Sequence, residues 1–356
     1  MPSFVKSLLS DAAGNLRRRT AGLYALLIGA NLAAWAWALL ALHRHPVLLG
    51  TAALAYTFGL RHAVDADHIA AIDNVTRTLM QAGKRPIAAG FFFSLGHSAV
   101  VFAMSAGVAA AATVVESKLG DLKAIGAVVG TCTSAIFLFA IAVVNVAIFG
   151  SVYRTFRSVK AGNAFAEEDL NVLLSGRGLL ARLFRPLFRM VSRSWHLFPI
   201  GLLFGLGFDT ATEVGLFGIS AAQTANGVSL SVVLVFPALF AAAMALVDTT
   251  DSVLMVGAYG WAFTKPIRKL FYNMTITLVS AAVAMVIGGI EALGLIADQL
   301  TLRGAFWDAI GDLNDHWGAL GYAIIALFAA SWLGSLAVYR LKRYDDIEVR
   351  AEVTAP

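Results

Sequence analysis

Apolar residues run along this chain in long, nearly unbroken stretches, not in the short alternating patterns of a soluble fold. A helix that crosses a bilayer needs about 20 mostly apolar residues. Eight segments meet that need: 20–42, 46–78, 87–113, 123–149, 197–222, 229–259, 270–296 and 317–339. The fifth and sixth are separated by Gln223-Thr224-Ala225-Asn226-Gly227, a cluster of turn formers. The second carries several ionisable residues over 61–73, yet its apolar run 46–60 enters them without a Gly/Pro cluster. At about 1.5 Å per residue a helix over 46–78 outruns a hydrocarbon core of about 30 Å, so it is expected to protrude or bend. The first segment follows Arg17-Arg18-Arg19, as a signal peptide would. Its apolar run is longer than the about 7–15 residues of a signal core, which makes it a retained anchor.

Composition agrees with this pattern. Of 356 residues, 59% are hydrophobic and 14% charged, and the mean hydropathy is +0.75. A soluble domain of this size could not bury so much apolar surface, and a disordered chain would be charged and polar. The single cysteine, Cys132, excludes an intrachain disulfide and a cysteine-rich zinc site. The net charge of +5 is a matter of topology. With both termini cytoplasmic, 22 of the 27 lysines and arginines fall on the cytoplasmic side, so the positive-inside rule is met at every loop. The partner of this basic excess is the lipid bilayer and not nucleic acid. The expected architecture is therefore an all-α integral membrane protein of about eight transmembrane helices. It forms a single polytopic domain over 1–356 with a basic cytoplasmic loop at about 150–196. Within that loop Arg182–Arg193 alternates basic and apolar residues, the composition of an interfacial helix on anionic lipid.

Against this charge-poor background, four groups of ionisable residues fall inside the spans, where charge is costly and normally faces a pathway. The second span reads Arg61-His62-Ala63-Val64-Asp65-Ala66-Asp67-His68, with Asp73 and Asn74 beyond. The third carries His97, the fifth Asp209-Thr210-Ala211-Thr212-Glu213, and the sixth Asp248-Thr249-Thr250-Asp251. Counting inward from the span ends puts all four in the central to cytoplasmic half of the bilayer, so they can meet in one layer. On one continuous helix His62, Asp65 and Asp73 would share a face, His68 would extend it and Asp67 would point away. Two imidazoles with adjacent carboxylates are a nitrogen/oxygen donor set for a first-row divalent metal, and His97 could add a third imidazole. The candidate metal ligands are thus His62, Asp65, Asp67, His68 and His97. Asp73, Asp209, Thr210, Glu213, Asp248 and Asp251 line a candidate ion pathway. The carboxylate pairs Asp209/Glu213 and Asp248/Asp251 would repel unless protonated, cation-bound or paired with Arg61. His43, His45, His196 and His316 sit at span boundaries, and Glu291 is expected at the outer interface.

Enzyme chemistry has no foothold. The chain has no H-E-x-x-H helix, no G-x-S-x-G elbow and no Walker A sequence, so neither a zinc protease, a serine hydrolase nor an ATPase is written in it. A histidine-rich di-iron site is excluded because four of the seven histidines are scattered at boundaries. No cofactor is expected. What remains is transport with a metal or a proton as the moving or coupling ion, or a membrane sensor or accessory subunit that binds metal without moving it.

The same strings resemble the nickel/cobalt transporter family, in particular the bacterial high-affinity nickel permeases. RHAVDADHIAAIDNVTR at 61–77 looks like that family's signature, built on His62, Asp67 and His68. FSLGHSAVV at 93–101, LGFDTATE at 206–213 and ALVDTTDS at 245–252 resemble its other signatures, in the family's order. Ala99 and Ala243 depart from the pattern by single small side chains. The resemblance implies a multi-pass permease of the bacterial inner membrane for uptake of Ni2+, with Co2+ as a second substrate, and it leaves a homo-oligomer open. It also implies that Asn31 and Val64, which match the nickel-selective pattern, set the choice of metal.

Overall fold

The computed structural model describes residues 11, 15–43, 46–111, 116–160, 191–206, 211–262 and 266–342, and among them every regular element is helical. In chain order these are α1 (Leu16–Leu42), α2 (Val47–His62), α3 (Ala66–Gln81), α4 (Ala89–Ala111) and α5 (Glu116–Lys160). After a 3-10 turn at Ser194–His196 come α6 (Leu197–Phe204), α7 (Ala211–Ala225), α8 (Leu230–Val233) and α9 (Val235–Ala262). The chain continues with α10 (Pro266–Gln299), α11 (Ala305–Asp315) and α12 (Trp317–Leu341).

Among the described residues, six helical segments are long and apolar enough to cross a membrane: α1, α4, most of α5, α8–α9 together, most of α10, and α12. A seventh arises if α2 and α3, bent by 50° at their junction, count as one span. The expected fifth span is realised differently, as α6 and α7, each too short to cross alone. Glycine is a poor helix former, and Gly205 stands at the end of α6. The interfacial helix expected over Arg182–Arg193 lies outside the described residues up to Met190.

Glycine also ends two of the helices. Gly83 (φ 75°) and Gly227 (φ 77°) occupy the left-handed region. Behind α3, Lys84 N–H reaches Leu79 C=O at 3.0 Å, and behind α7, Val228 N–H reaches Gln223 C=O at 3.0 Å. Each is the six-to-one bond of a Schellman stop, which satisfies a carbonyl that the helix leaves bare.

Packing sorts the helices by depth. Only about a quarter of the apolar windows of α1 (28%) and α12 (22%) is buried, so these face lipid, whereas half of those of α8–α9 and α10 is covered by protein. The deepest helix is α3, in which fourteen of sixteen residues are buried, so it has no lipid face at all. It stands between two apolar clusters. One joins its Ile69 and Ala70 to Leu138 of α5, Ile287 of α10 and Ile324 of α12. The other joins its Ile72 and Val75 to Phe93 of α4 and Phe204 of α6. A third cluster seats Ala52 and Ala55 of α2 and Leu216 of α7 on Phe236 and Phe240 of α9.

Close helix contacts rely on missing side chains, as is usual where lipid supplies no hydrophobic drive. A Cβ on Gly59 would strike the backbone of Phe240, and one on Gly90 would strike the backbone of Asp248. Gly96 and Gly201 bring α4 and α6 into mutual backbone contact, against the carbonyls of Phe198 and Phe93 respectively. These contacts fix α2, α4, α6 and α9 around the region where the ionisable residues converge.

Candidate metal centre

The site is built on a helix break. α2 ends at His62, and Ala63–Asp65 turn the chain before α3 begins. Asp65 has extended backbone (ψ 148°) at the N-cap position of α3, yet its side chain makes no capping bond. That carboxylate is committed elsewhere, with Oδ2 3.0 Å from Nδ1 of His62. The break replaces the continuous helix expected from the sequence, and it places His62 and His68 side by side instead of along one stripe. Their ring centroids are 4.7 Å apart, and His97 of α4 stands 4.8 Å from each. All three imidazoles are buried, and one ring nitrogen from each lies within 4.8 Å of the others.

Carboxylates surround this triangle. His62 Nε2 lies 2.9 Å from His97 Nε2, and the latter is 3.0 Å from Oε1 of Glu213 in the first turn of α7. His68 Nδ1 lies 3.3 and 3.4 Å from the two oxygens of Asp248 on α9. Thr212 adds a hydroxyl 3.2 Å from His62 Nδ1. A carboxylate can only accept, so these partners set the tautomers: His62 and His68 donate from Nδ1 and turn their Nε2 lone pairs to the centre. His97 donates from Nε2 to Glu213 and His62. Among the described residues, His68 Nε2 is buried without a hydrogen-bond partner. Phe93 (4.8 Å from the His68 ring) and Phe240 (5.4 Å from the His62 ring) wall the site with apolar surface.

A second polar cluster follows on α3 toward its Lys84 end. Asp73 accepts from the Tyr259 hydroxyl of α9 and from Ser280 Oγ of α10 at 2.8 Å. Arg77, 1% exposed, donates to Ser280 Oγ (3.2 Å), Thr277 Oγ1 (3.0 Å) and Asn74 Oδ1 (3.2 Å). Asn145 of α5 donates to the same Asn74 oxygen at 2.5 Å. Arg77, counted among the 22 cytoplasmic basic residues because it stands near the end of the expected second span, is therefore an interior residue.

Of the residues singled out from sequence, His62, His68, His97, Asp65, Glu213 and Asp248 come together. Asp67, half-buried in the first turn of α3, adds its charge to the same neighbourhood. Asp73 joins the second cluster. Asp251 lies one turn beyond Asp248 on α9, with a buried Oδ2 that has no partner among the described residues. Asp209 and Thr210 fall outside the described residues. Asn31 does not touch the imidazoles; it donates to Leu27 O (2.8 Å) and Ala242 O (3.1 Å) and accepts from Tyr56 (2.9 Å), tying α1 to α9. Val64 lies at the break, its carbonyl against Gly321 of α12. Glu291, expected at the interface, is instead buried where α5 packs along α10 and accepts from Ser134 at 2.8 Å. The sequence reading quoted Asn74 in the second-span string without giving it a role, and it missed Asn145, Tyr259 and Ser280. The pattern Asp73-Asn74 followed by Arg77 one turn later was their only signal.

Comparison with known proteins gives the arrangement a context. Residues 48–338 match the sequence profile of the family described as high-affinity nickel-transport protein. A high-affinity nickel transport protein of Cupriavidus necator is 58% identical over 96% of this chain and 97% of its own length. Nickel transporter NicT of Mycobacterium tuberculosis is 45% identical over 84% of this chain and 80% of its own length. Cobalt transport protein NhlF of Rhodococcus rhodochrous is 40% identical over 83% and 84%. No solved structure matches the chain.

Proposed function

The chain belongs to the high-affinity nickel-transport protein family, and from that premise we propose that it is a secondary permease that takes up Ni2+, with Co2+ as a second substrate. Membership makes it a membrane transport protein and not an enzyme, with the metal as substrate and not as cofactor. The observation that carries the proposal is the triangle of buried imidazoles, each within 4.8 Å of the others, with carboxylates behind them.

The ligands in this reading are the Nε2 atoms of His62, His68 and His97, the last giving up its proton when the metal binds, with an oxygen of Glu213. Asp65 and Asp248 hold the first two rings in the tautomer that ligation needs and raise their basicity. Asp67 adds charge that draws a cation in. The break itself helps, since it brings His62 and His68 side by side, a use of half-helices common in transporters.

Release runs past Asp248, Asp251 and Asp73; Asp209 and Thr210, which the sequence assigns to the same path, lie outside the described residues. Asn31 and Val64 act on metal choice indirectly, by setting how α1 lies on α9 and how the break at Ala63–Asp65 is held. The chain sits in the bacterial inner membrane with eight spans, the α6–α7 region completing the count, and both termini cytoplasmic. An inside-negative potential of 100 mV favours a divalent cation by about 4.6 kcal/mol, so accumulation needs no ATP.

The test is potential-driven uptake of radioactive nickel by the purified chain in lipid vesicles. Wild type is expected to accumulate nickel, and His62→Ala or His68→Ala to abolish uptake at equal folded protein. Binding without flux by wild type would make the chain a sensor or accessory subunit and overturn the permease reading.

A further inference from the structure

Arg77 has no role in holding the metal, yet it is the largest fully buried side chain among the described residues. A guanidinium at this depth is expensive unless its charge is answered. Its three hydrogen-bond acceptors, Ser280, Thr277 and Asn74, are all neutral. Among the described residues no carboxylate oxygen lies within 4.0 Å of it. Its charge is answered through one hydroxyl: Ser280 Oγ accepts from Arg77 Nε at 3.2 Å and donates to Asp73 Oδ2 at 2.8 Å. Along α3, Asp73 lies about 7.5 Å and Arg77 about 13.5 Å beyond His68 at the usual helical rise. Any cation leaving the histidines toward the Lys84 end of α3 passes a carboxylate that is already balanced.

We infer that Arg77 is a release residue: by balancing Asp73 through Ser280 it keeps that carboxylate from detaining the divalent cation on its way out. This rests on the transport reading above. The bridge suits the task because it is indirect. A direct Arg77–Asp73 pair would bind the carboxylate to a rigid fork. The hydroxyl relay instead leaves Asp73 oriented by Tyr259 and Ser280 and lowers its net attraction for a passing ion without occupying it. Asp251, with its buried unpartnered oxygen, lies on the α9 side of the same stretch. An unbalanced Asp73 would therefore give the ion a second strong attractor within one or two helical turns of the first.

The experiment follows nickel dissociation from the purified full-length chain after addition of a chelator, beside uptake by the same protein in vesicles. Arg77→Gln is expected to slow dissociation at least about tenfold, because an unscreened carboxylate acts strongly on a divalent ion in a low-dielectric interior. Its maximal uptake rate should fall while KM stays unchanged or decreases. Arg77→Lys should stay near wild type, and Asp73→Asn/Arg77→Gln should return dissociation to the wild-type rate. A role confined to folding would change thermal stability and leave the dissociation rate alone. Should Arg77→Gln not fold, the neutral double variant and Ser280→Ala carry the test, the first releasing nickel at the wild-type rate and the second more slowly. Dissociation within twofold of wild type in folded Arg77→Gln overturns the inference, as does slow release by the neutral double variant. Wild type that binds nickel but moves none would overturn the transport reading instead, a separate result in the same assays.

Discussion

Replacing Asp248 by asparagine removes one negative charge and keeps the shape of a side chain that backs His68. The carboxylate oxygens stand 3.3 and 3.4 Å from His68 Nδ1, both residues are fully buried, and no solvent screens the pair. A metal on Nε2 would lie across the ring, roughly 7 Å from the carboxylate. At an effective dielectric near 20 a unit charge and a divalent ion attract by about 5 kcal/mol at that distance, an upper bound before desolvation is counted. Outer partners of ligating histidines are generally worth about 10–100-fold in metal affinity. The expected effect of Asp248→Asn is thus a nickel Kd raised about 100-fold, close to 2.7 kcal/mol. Calorimetric titration of the purified chain with NiCl2 reads it directly, and uptake in vesicles should show the same increase in KM. A Kd within twofold of wild type, in protein that unfolds at the wild-type temperature, would refute the idea that Asp248 supports a metal ligand.

Other expectations follow from the same geometry. Glu213→Gln should weaken nickel binding about tenfold or more, since it removes the one anionic oxygen 3.0 Å from His97 Nε2, and titration again reads it. Gly90→Ala should lower the melting temperature and weaken nickel binding, because the new methyl would meet the Asp248 backbone and force α4 from α9 at about 1–3 kcal/mol. Gly29→Ala on α1, with open space around it, should leave binding unchanged and serves as its control. Asn31→Ala should cost about 1–3 kcal/mol of stability through the lost bonds to Leu27 and Ala242 and shift the nickel-to-cobalt uptake ratio. An unchanged ratio in competition uptake would remove Asn31 from any part in metal choice.

Much of this site can be read before the fold is known. His62, His68 and three carboxylates within twelve residues of a charge-poor chain mark a candidate metal centre by composition alone, and His97 falls at the matching depth of the next span. What sequence periodicity misrepresents is their geometry. It assumes one helix through 46–78, where the chain breaks at Ala63–Asp65. The signal for that break is Asp65, a preferred N-cap residue ahead of the periodic run of α3, with no glycine or proline to announce it. Arg77 reads as a loop charge because it is basic and near a span end, but the extra bent segment carries it inside. Asn74, Asn145 and Ser280 are uncharged, and a search for intramembrane charge passes over them. Glu291 looks interfacial when counted from the end of its own helix. Its burial comes from α5 packing along α10, and that pairing leaves no trace in local sequence.

X-ray absorption at the nickel edge of the metal-loaded chain tests the centre most directly, because it counts imidazole ligands without reference to transport. The geometry of His62, His68 and His97 predicts three imidazole nitrogens and a carboxylate oxygen in the first shell. His97→Ala should lose one imidazole from that count. A first shell of oxygens with at most one imidazole, unchanged by His97→Ala, would contradict the account.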